Sequence, residues 1–263
     1  MAHGLIALFG SGETSKRGRR VHEYLFRRLP VPVRVAIVET PAGFQPNVTT
    51  VSNTLRTFFV QSLRNFQPQV EIVAARHRDG VYDPNSPAIT QPLEHADYIF
   101  SGPGSPTYAV RHLTGTRTLD LICRRLEDGT TLSLSSAAAI AFGRWSLPVY
   151  EIYKVGTDLH WLPGIDIFRG IGLDLTVVPH WNNTEGGASL DTSHCFMGAE
   201  RFGYLRRMLP GETTLLGIDE HTACVLDPNA GEAMVLGAGT VTVMRGSAET
   251  VIASGERFSL DLL

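Results

Sequence analysis

Residues 5–135 alternate short apolar runs, rich in β-branched side chains, with longer amphipathic stretches, and this alternation leaves few architectures open. Residues 5–9, 33–38, 70–74, 97–100 and 132–135 read as strands. Between them, residues 16–29 place Val21, Tyr24, Leu25 and Leu29 at helical spacing among arginines. Residues 48–65 repeat the pattern with Val51, Leu55, Phe58, Phe59 and Leu63, and further helices are expected over 107–113 and 117–127. Strands that are apolar almost throughout, joined by helices, imply a parallel sheet covered on both faces. The functional loops of such a sheet lie at the carboxyl ends of its strands. Here those loops are 10–14, 101–106 and the turn after Ser135.

The second half is less regular. Residues 145–172, rich in glycine, proline and aromatic side chains, read as loop. A strand over 173–178 leads to His180, a polar loop follows over 181–187, and a helix is expected over 198–208. From Thr214 onward short strands take over, at 215–218, 223–226, 233–236, 240–244 and 250–253. No repeat, low-complexity tract or clear linker interrupts the chain, so a single domain over 1–263 is expected.

Composition narrows the function classes. A hydrophobic content of 43% with 19% charged residues describes a folded globular chain rather than a disordered one. A net charge of −3 gives nucleic acid and anionic membranes no electrostatic footing. No apolar run is long enough to span a bilayer. The apolar start has no basic leader and reads as the first strand. Cys123, Cys195 and Cys224 show neither metal-ligand spacing nor a disulfide framework, so a reducing cytoplasmic setting is expected.

The stretch Thr131-Leu-Ser-Leu-Ser-Ser-Ala-Ala-Ala-Ile-Ala-Phe-Gly143 carries the strongest chemical signal. An apolar run meets a hydroxyl residue, then small residues that open a helix. This is the pattern of a nucleophile elbow, in which a tight strand-to-helix turn pushes one side chain outward. Ser136 and Ser135 both qualify, and Ser135 has the smaller residue, Ser133, two positions before it. The bland alternative is a buried strand meeting an alanine-rich helix. A serine hydroxyl needs a base and an orienting acid to become a nucleophile. His180 and Glu220 each stand at the carboxyl end of an expected strand, in the chain order Ser, His, Glu. Taken singly, His180 also reads as a structural histidine and Glu220 as a solvated turn residue.

The other signals are weaker. Gly102 and Gly104 flank Pro103 in a loop whose backbone could approach a ligand, although Ser105 or Thr107 could equally cap the next helix there. Gly10-Ser-Gly-Glu-Thr14, which includes Glu13, is similar to a dinucleotide fingerprint but has Ser15 where the third glycine belongs. His160, His180, His194, Cys195 and His221 are competent metal ligands without the paired spacing of a zinc site. Cys195 is either a reactive thiol or an inert buried one, and Arg144 either pairs with a substrate carboxylate or sits on the surface.

With these residues assembled, the chain resembles the cyanophycinase and aspartyl dipeptidase (dipeptidase E) family of serine peptidases, which has a class I glutamine amidotransferase-like fold. Ser136-Ala-Ala-Ala is similar to that family's Ser-Ala-Gly-Ala elbow, Val178-Pro-His-Trp181 to its Pro-His-Phe segment, and Leu216-Gly-Ile-Asp-Glu-His-Thr-Ala223 to its Gly-Ile-Asp-Glu-x-Thr-Ala stretch. The resemblance implies a three-layer α/β/α sandwich with a mostly parallel, flavodoxin-like sheet and a few short antiparallel strands near the C-terminus. It implies Ser136, His180 and Glu220 as the catalytic triad. The Ala137 amide and the loop holding Gly102, Gly104 and Ser105 would receive the oxyanion. Apart from the resemblance, Ser135, Glu13, Asn182 and Asn183 are further candidate site residues.

The chain departs from the family at Leu134 and Ala138, where the family has glycines, and at Pro103, which has no N–H to donate. The implied substrate is a small peptide or amide, without cofactor, metal, nucleic acid or membrane, and with a homodimer allowed for. The competing expectation is a diverged, non-catalytic small-molecule binding protein on the same scaffold. A glutamine amidotransferase proper is disfavoured, because no cysteine stands at the elbow.

Overall fold

The structure, a computed structural model, describes residues 3–263. Its first half delivers the expected alternation. β1 (Ile6–Phe9), α1 (Lys16–Phe26), β2 (Arg34–Val38), α2 (Val48–Ser62) and β3 (Gln69–Val73) are followed by the short α3 (Pro87–Thr90). β4 (Tyr98–Ser101), α4 (Pro106–Leu113), α5 (Arg117–Glu127), β5 (Thr131–Ser135) and α6 (Ala137–Ala141) complete it. The second half holds β6 (Trp145–Ser146), β7 (Leu162–Pro163), β8 (Leu175–Val178), α7 (Gly198–Met208), β9 (Thr214–Ile218) and β10 (Thr222–Asp227). β11 (Glu232–Gly237), β12 (Thr240–Arg245), β13 (Ala248–Ala253) and β14 (Arg257–Ser259) close the chain.

The main sheet has the order β14-β11-β10-β1-β5-β4-β2-β3. Its run β3-β2-β4-β5 is parallel and follows the first four places of a flavodoxin-like sheet. The N-terminal β1 takes the fifth place, parallel to β5. β10, β11 and β14 then extend the sheet in antiparallel fashion. The late strands are therefore more than an edge, because a second sheet, β13-β12-β9-β8, stands apart from the first.

Period-2 alternation explains why the strands are apolar on both faces. Ile6, Leu8, Ile99, Cys224 and Leu226 face the core shared with α4, α5, α6 and the second sheet. Their neighbours Ala7, Phe9, Tyr98, Phe100, Ala223 and Val225 face the core under α1 and α2. A third cluster, including Ile140, Val149, Val178, Cys195 and Phe202, packs the far side of the second sheet against α7.

Helix starts follow local chemistry. Ser15, Ser105 and Thr116 accept hydrogen bonds from Gly18, Tyr108 and Leu119 backbone N–H groups at 3.1, 3.2 and 3.4 Å. The segment 145–172 is only partly loop. It contains the β6–β7 pair and a π-helical turn, Glu151–Val155, that buries Ile152. No helix among the described residues is long and apolar enough to cross a membrane.

Candidate active site

The turn after β5 is built around one strained residue. Ser136 has φ +52° and ψ −115°, a backbone region that residues with a Cβ rarely occupy. Its N–H bonds the Phe9 carbonyl oxygen at 3.2 Å and its own carbonyl oxygen accepts from Ile140 at 3.1 Å, so both flanks of the turn are fixed. Strain of this kind costs on the order of 1–3 kcal/mol and persists where the surroundings over-determine it. Leu134 does not flatten the turn, because its side chain is fully buried in the core, away from the elbow's open face. Ala138 is likewise fully buried.

The two serines separate cleanly. Ser136 Oγ lies 2.9 Å from His180 Nε2. Ser135 is buried, and its Oγ donates to Glu13 Oε2 at 2.8 Å. Glu13 thus supports the residue before the elbow and does not itself line the cavity.

His180 and Glu220 meet because β8 and β9 run parallel, with Val178 opposite Gly217. Both chains leave this pair at the same end, and Trp181 N–H continues the pairing to the Ile218 carbonyl at 3.0 Å. His180 Nδ1 lies 3.0 Å from Glu220 Oε1. A carboxylate only accepts, so Nδ1 carries the proton and Nε2 presents its lone pair to the Ser136 hydroxyl. Both asparagines flagged in the sequence hold the acid in place. Asn183 Nδ2 donates to Glu220 Oε1 at 2.9 Å, and Glu220 N–H donates to Asn182 Oδ1 at 2.8 Å. The bond from His180, then that from Asn183, hold the Glu220 carboxyl below its ordinary range, against an opposing effect of burial.

A cavity of about 350 Å³ opens in front of Ser136 and His180. Ala137 and Gly104 line it. At the first position of α6 the Ala137 amide has no intrahelical acceptor, leaving it open to a ligand. The loop at 101–106 departs from expectation. Ser105 N–H is spent on the Pro41 carbonyl at 2.8 Å and its hydroxyl caps α4, so Ser105 is a structural residue rather than an oxyanion donor. Gly102 does not line the cavity either, since it packs against the Phe100 ring. Gly104 and Pro106 are the loop residues that line the cavity. The Gly104 φ of +153° and the close Pro41 carbonyl leave no room for a Cβ.

Other expectations are corrected by partners. Arg144 pairs with Asp166 and Asp174 at 2.8 and 3.2 Å, so it is committed to structure. Cys195 lines the cavity, but burial, helped by the Glu220 charge, pushes its thiol up to about 12 and keeps it protonated. Among the described residues, no three His, Cys, Asp or Glu side chains gather into a metal-binding group. Sequence reasoning missed Val149, Tyr150 and Tyr153, which lie in the segment read as loop, as well as Phe196 and Glu185. Phe196 ends a turn in which His194, Cys195 and Phe196 all have left-handed φ, of +53, +58 and +67°. No sequence rule anticipates that turn, because none of the three is a glycine.

A mostly parallel sheet packed with helices and extended by antiparallel strands is a peptidase E-like α/β fold. The crystal structure of a peptidase from an acI-B1 actinobacterium matches with a TM-score of 0.77 and 20% identity, over 98% of this chain and 97% of that one. A proposed peptidase E protein from Listeria monocytogenes EGD-e matches with a TM-score of 0.53 and 15% identity, over 96% of this chain and 99% of that one. At such identities the likeness is one of fold. No protein-family model and no curated protein matches the sequence.

Proposed function

We propose that this chain is a single-domain serine peptidase acting on small peptides or amides. The observation that carries the reading is the aligned triplet at the elbow: Ser136 Oγ 2.9 Å from His180 Nε2, with His180 Nδ1 3.0 Å from Glu220 Oε1. The peptidases that share the fold support it.

In this mechanism Ser136 Oγ attacks the substrate carbonyl carbon as His180 Nε2 takes its proton. The carbonyl π electrons move to oxygen, where the Ala137 and Gly104 amides receive them. Loss of one such donor commonly costs about 2.7–4 kcal/mol of barrier. Glu220 keeps the imidazole tautomer correct and stabilises the imidazolium. His180 returns the proton to the leaving amine, the C–N bond breaks, and an acyl-serine remains. Water, deprotonated by His180, then attacks the ester, releasing the acid and restoring the Ser136 hydroxyl.

The test is a fluorophosphonate probe on purified protein, followed by peptide mapping. An adduct on Ser136 that disappears in Ser136→Ala and His180→Ala is expected. An adduct on neither serine would sink the peptidase reading and favour a binding protein on the same scaffold.

A further inference from the structure

The cavity in front of Ser136 has a graded lining. Beside the reacting groups lie Ile140, Val149 and Cys195, all buried, and the rings of Tyr150, Tyr153 and Phe196. The Phe196 ring centroid is 5.9 Å from that of His180 and 5.4 Å from that of Tyr153. An aromatic shelf thus runs outward from the catalytic imidazole. The left-handed turn over 194–196 sets Phe196 between those rings, a conformation disfavoured for residues with a Cβ.

The charged lining is peripheral and opposed in sign. Lys154 is exposed, with Nζ 4.7 Å from the Tyr153 ring centroid, and it is the one cation among the described residues lining this cavity. Glu185 is likewise exposed and lines the same cavity. A substrate carboxylate pushed into the interior would lose its water without gaining a buried positive partner. An apolar ring or branched chain loses nothing comparable and gains contact with the shelf.

We propose that this cavity holds the side chain of the residue whose carbonyl acylates Ser136, and that it selects a bulky uncharged apolar side chain, aromatic above all. The assignment rests on the serine peptidase reading above for the identity of the acyl residue. Tyr153 and Phe196 set the preference. Lys154 stands outside it.

The experiment separates binding from cleavage. Ser136→Ala protein is titrated calorimetrically with Phe-Ala, Leu-Ala, Lys-Ala and Asp-Ala, and kcat/KM is measured for the wild-type protein on the same dipeptides. Phe-Ala is expected to bind at least about 30-fold more tightly than Asp-Ala, within the range that apolar pockets achieve. Adding Tyr153→Ala, or Phe196→Leu as a second variant, should remove about tenfold or more of that advantage. Tighter binding of Asp-Ala, equal binding of all four, no binding of any, or a preference unmoved by both shelf variants would overturn the assignment. Tight binding of Phe-Ala without cleavage would uphold the cavity's selectivity and count against the peptidase reading instead. Cleavage with a preference for Asp-Ala would do the reverse.

Discussion

Asn183 Nδ2 and His180 Nδ1 converge on the same carboxylate oxygen, Glu220 Oε1, at 2.9 and 3.0 Å. Asn183 is itself buried, and its Oδ1 accepts the Glu185 N–H at 3.1 Å, which fixes the amide with its NH₂ toward Glu220. An amide in place of the acid would therefore turn its carbonyl oxygen, not its NH₂, toward the histidine. Glu220→Gln should keep the productive tautomer and lower kcat/KM by about 10²-fold, short of the roughly 10⁴-fold loss that follows tautomer inversion in a triad. Adding Asn183→Leu removes the bias, and the loss should approach that larger figure. Steady-state kinetics on the best dipeptide decides it, and equal losses in single and double variants would refute the orienting role of Asn183.

Ser135 and Ser136 carry the same hydroxyl with different work. Ser135→Ala removes the partly buried bond to Glu13 and should lower stability by about 0.5–1.5 kcal/mol, the net worth of a typical hydrogen bond. Probe labelling of Ser136 should survive it. Denaturant unfolding with parallel labelling reports both quantities, and loss of labelling in a folded Ser135→Ala protein would reassign the nucleophile.

Gly104 has no room to change. A Cβ there would overlap the Pro41 carbonyl oxygen and would require an L-residue at φ +153°. Gly104→Ala should displace the loop's amide and reduce kcat by about 10²–10³-fold, the usual effect of one oxyanion donor. The KM should change much less, because the ground-state carbonyl depends little on this contact. A KM effect with unchanged kcat would place the loop in binding rather than in transition-state stabilisation.

His22 predicts how stability responds to acid. It is fully buried among Phe9, Phe59 and Phe100, with Nδ1 2.7 Å from the Tyr98 hydroxyl, and burial lowers it from the ordinary 6.5 to about 3. Between those values the unfolded chain holds a proton that the folded chain does not. Falling pH therefore favours unfolding across that window, by at most about 1.4 kcal/mol per pH unit, and the stability is fully present above it. Glu220, held below its usual range, adds its own loss once the pH falls below the ordinary 4.5. Urea midpoints should fall steadily from pH 7 to pH 4.5. His22→Gln should start lower at pH 7 and decline less, and an equal decline would move the effect to another group.

The strands were legible wherever both faces are buried. β1, β2 and β4 are apolar runs because alternate side chains enter two different cores, and no amphipathic segment imitates that. The Ser105 cap was legible for a similarly local reason, since its side chain bonds an amide three residues on. The segment 145–172 was not. Its π-helical turn and the left-handed turn at 194–196 are conformations that local preference disfavours, held only by what packs around them. Arg144 misled because a free cation and one paired with Asp166 and Asp174 look alike in a string of letters.

The sequence by itself determined the parallel sheet, the elbow and the residue types for a serine, a base and an acid, because periodicity and turn chemistry act over a few residues. Only the tertiary structure decided which serine faces the histidine. Ser135 and Ser136 are adjacent, and the choice rests on Glu13 claiming one and His180 the other. The parallel register of β8 with β9, together with the short link from β9 into β10 beside β1, carries His180 and Glu220 to the elbow from a second sheet. Such proximity is set by pairing between strands far apart in the chain, and no local rule encodes it.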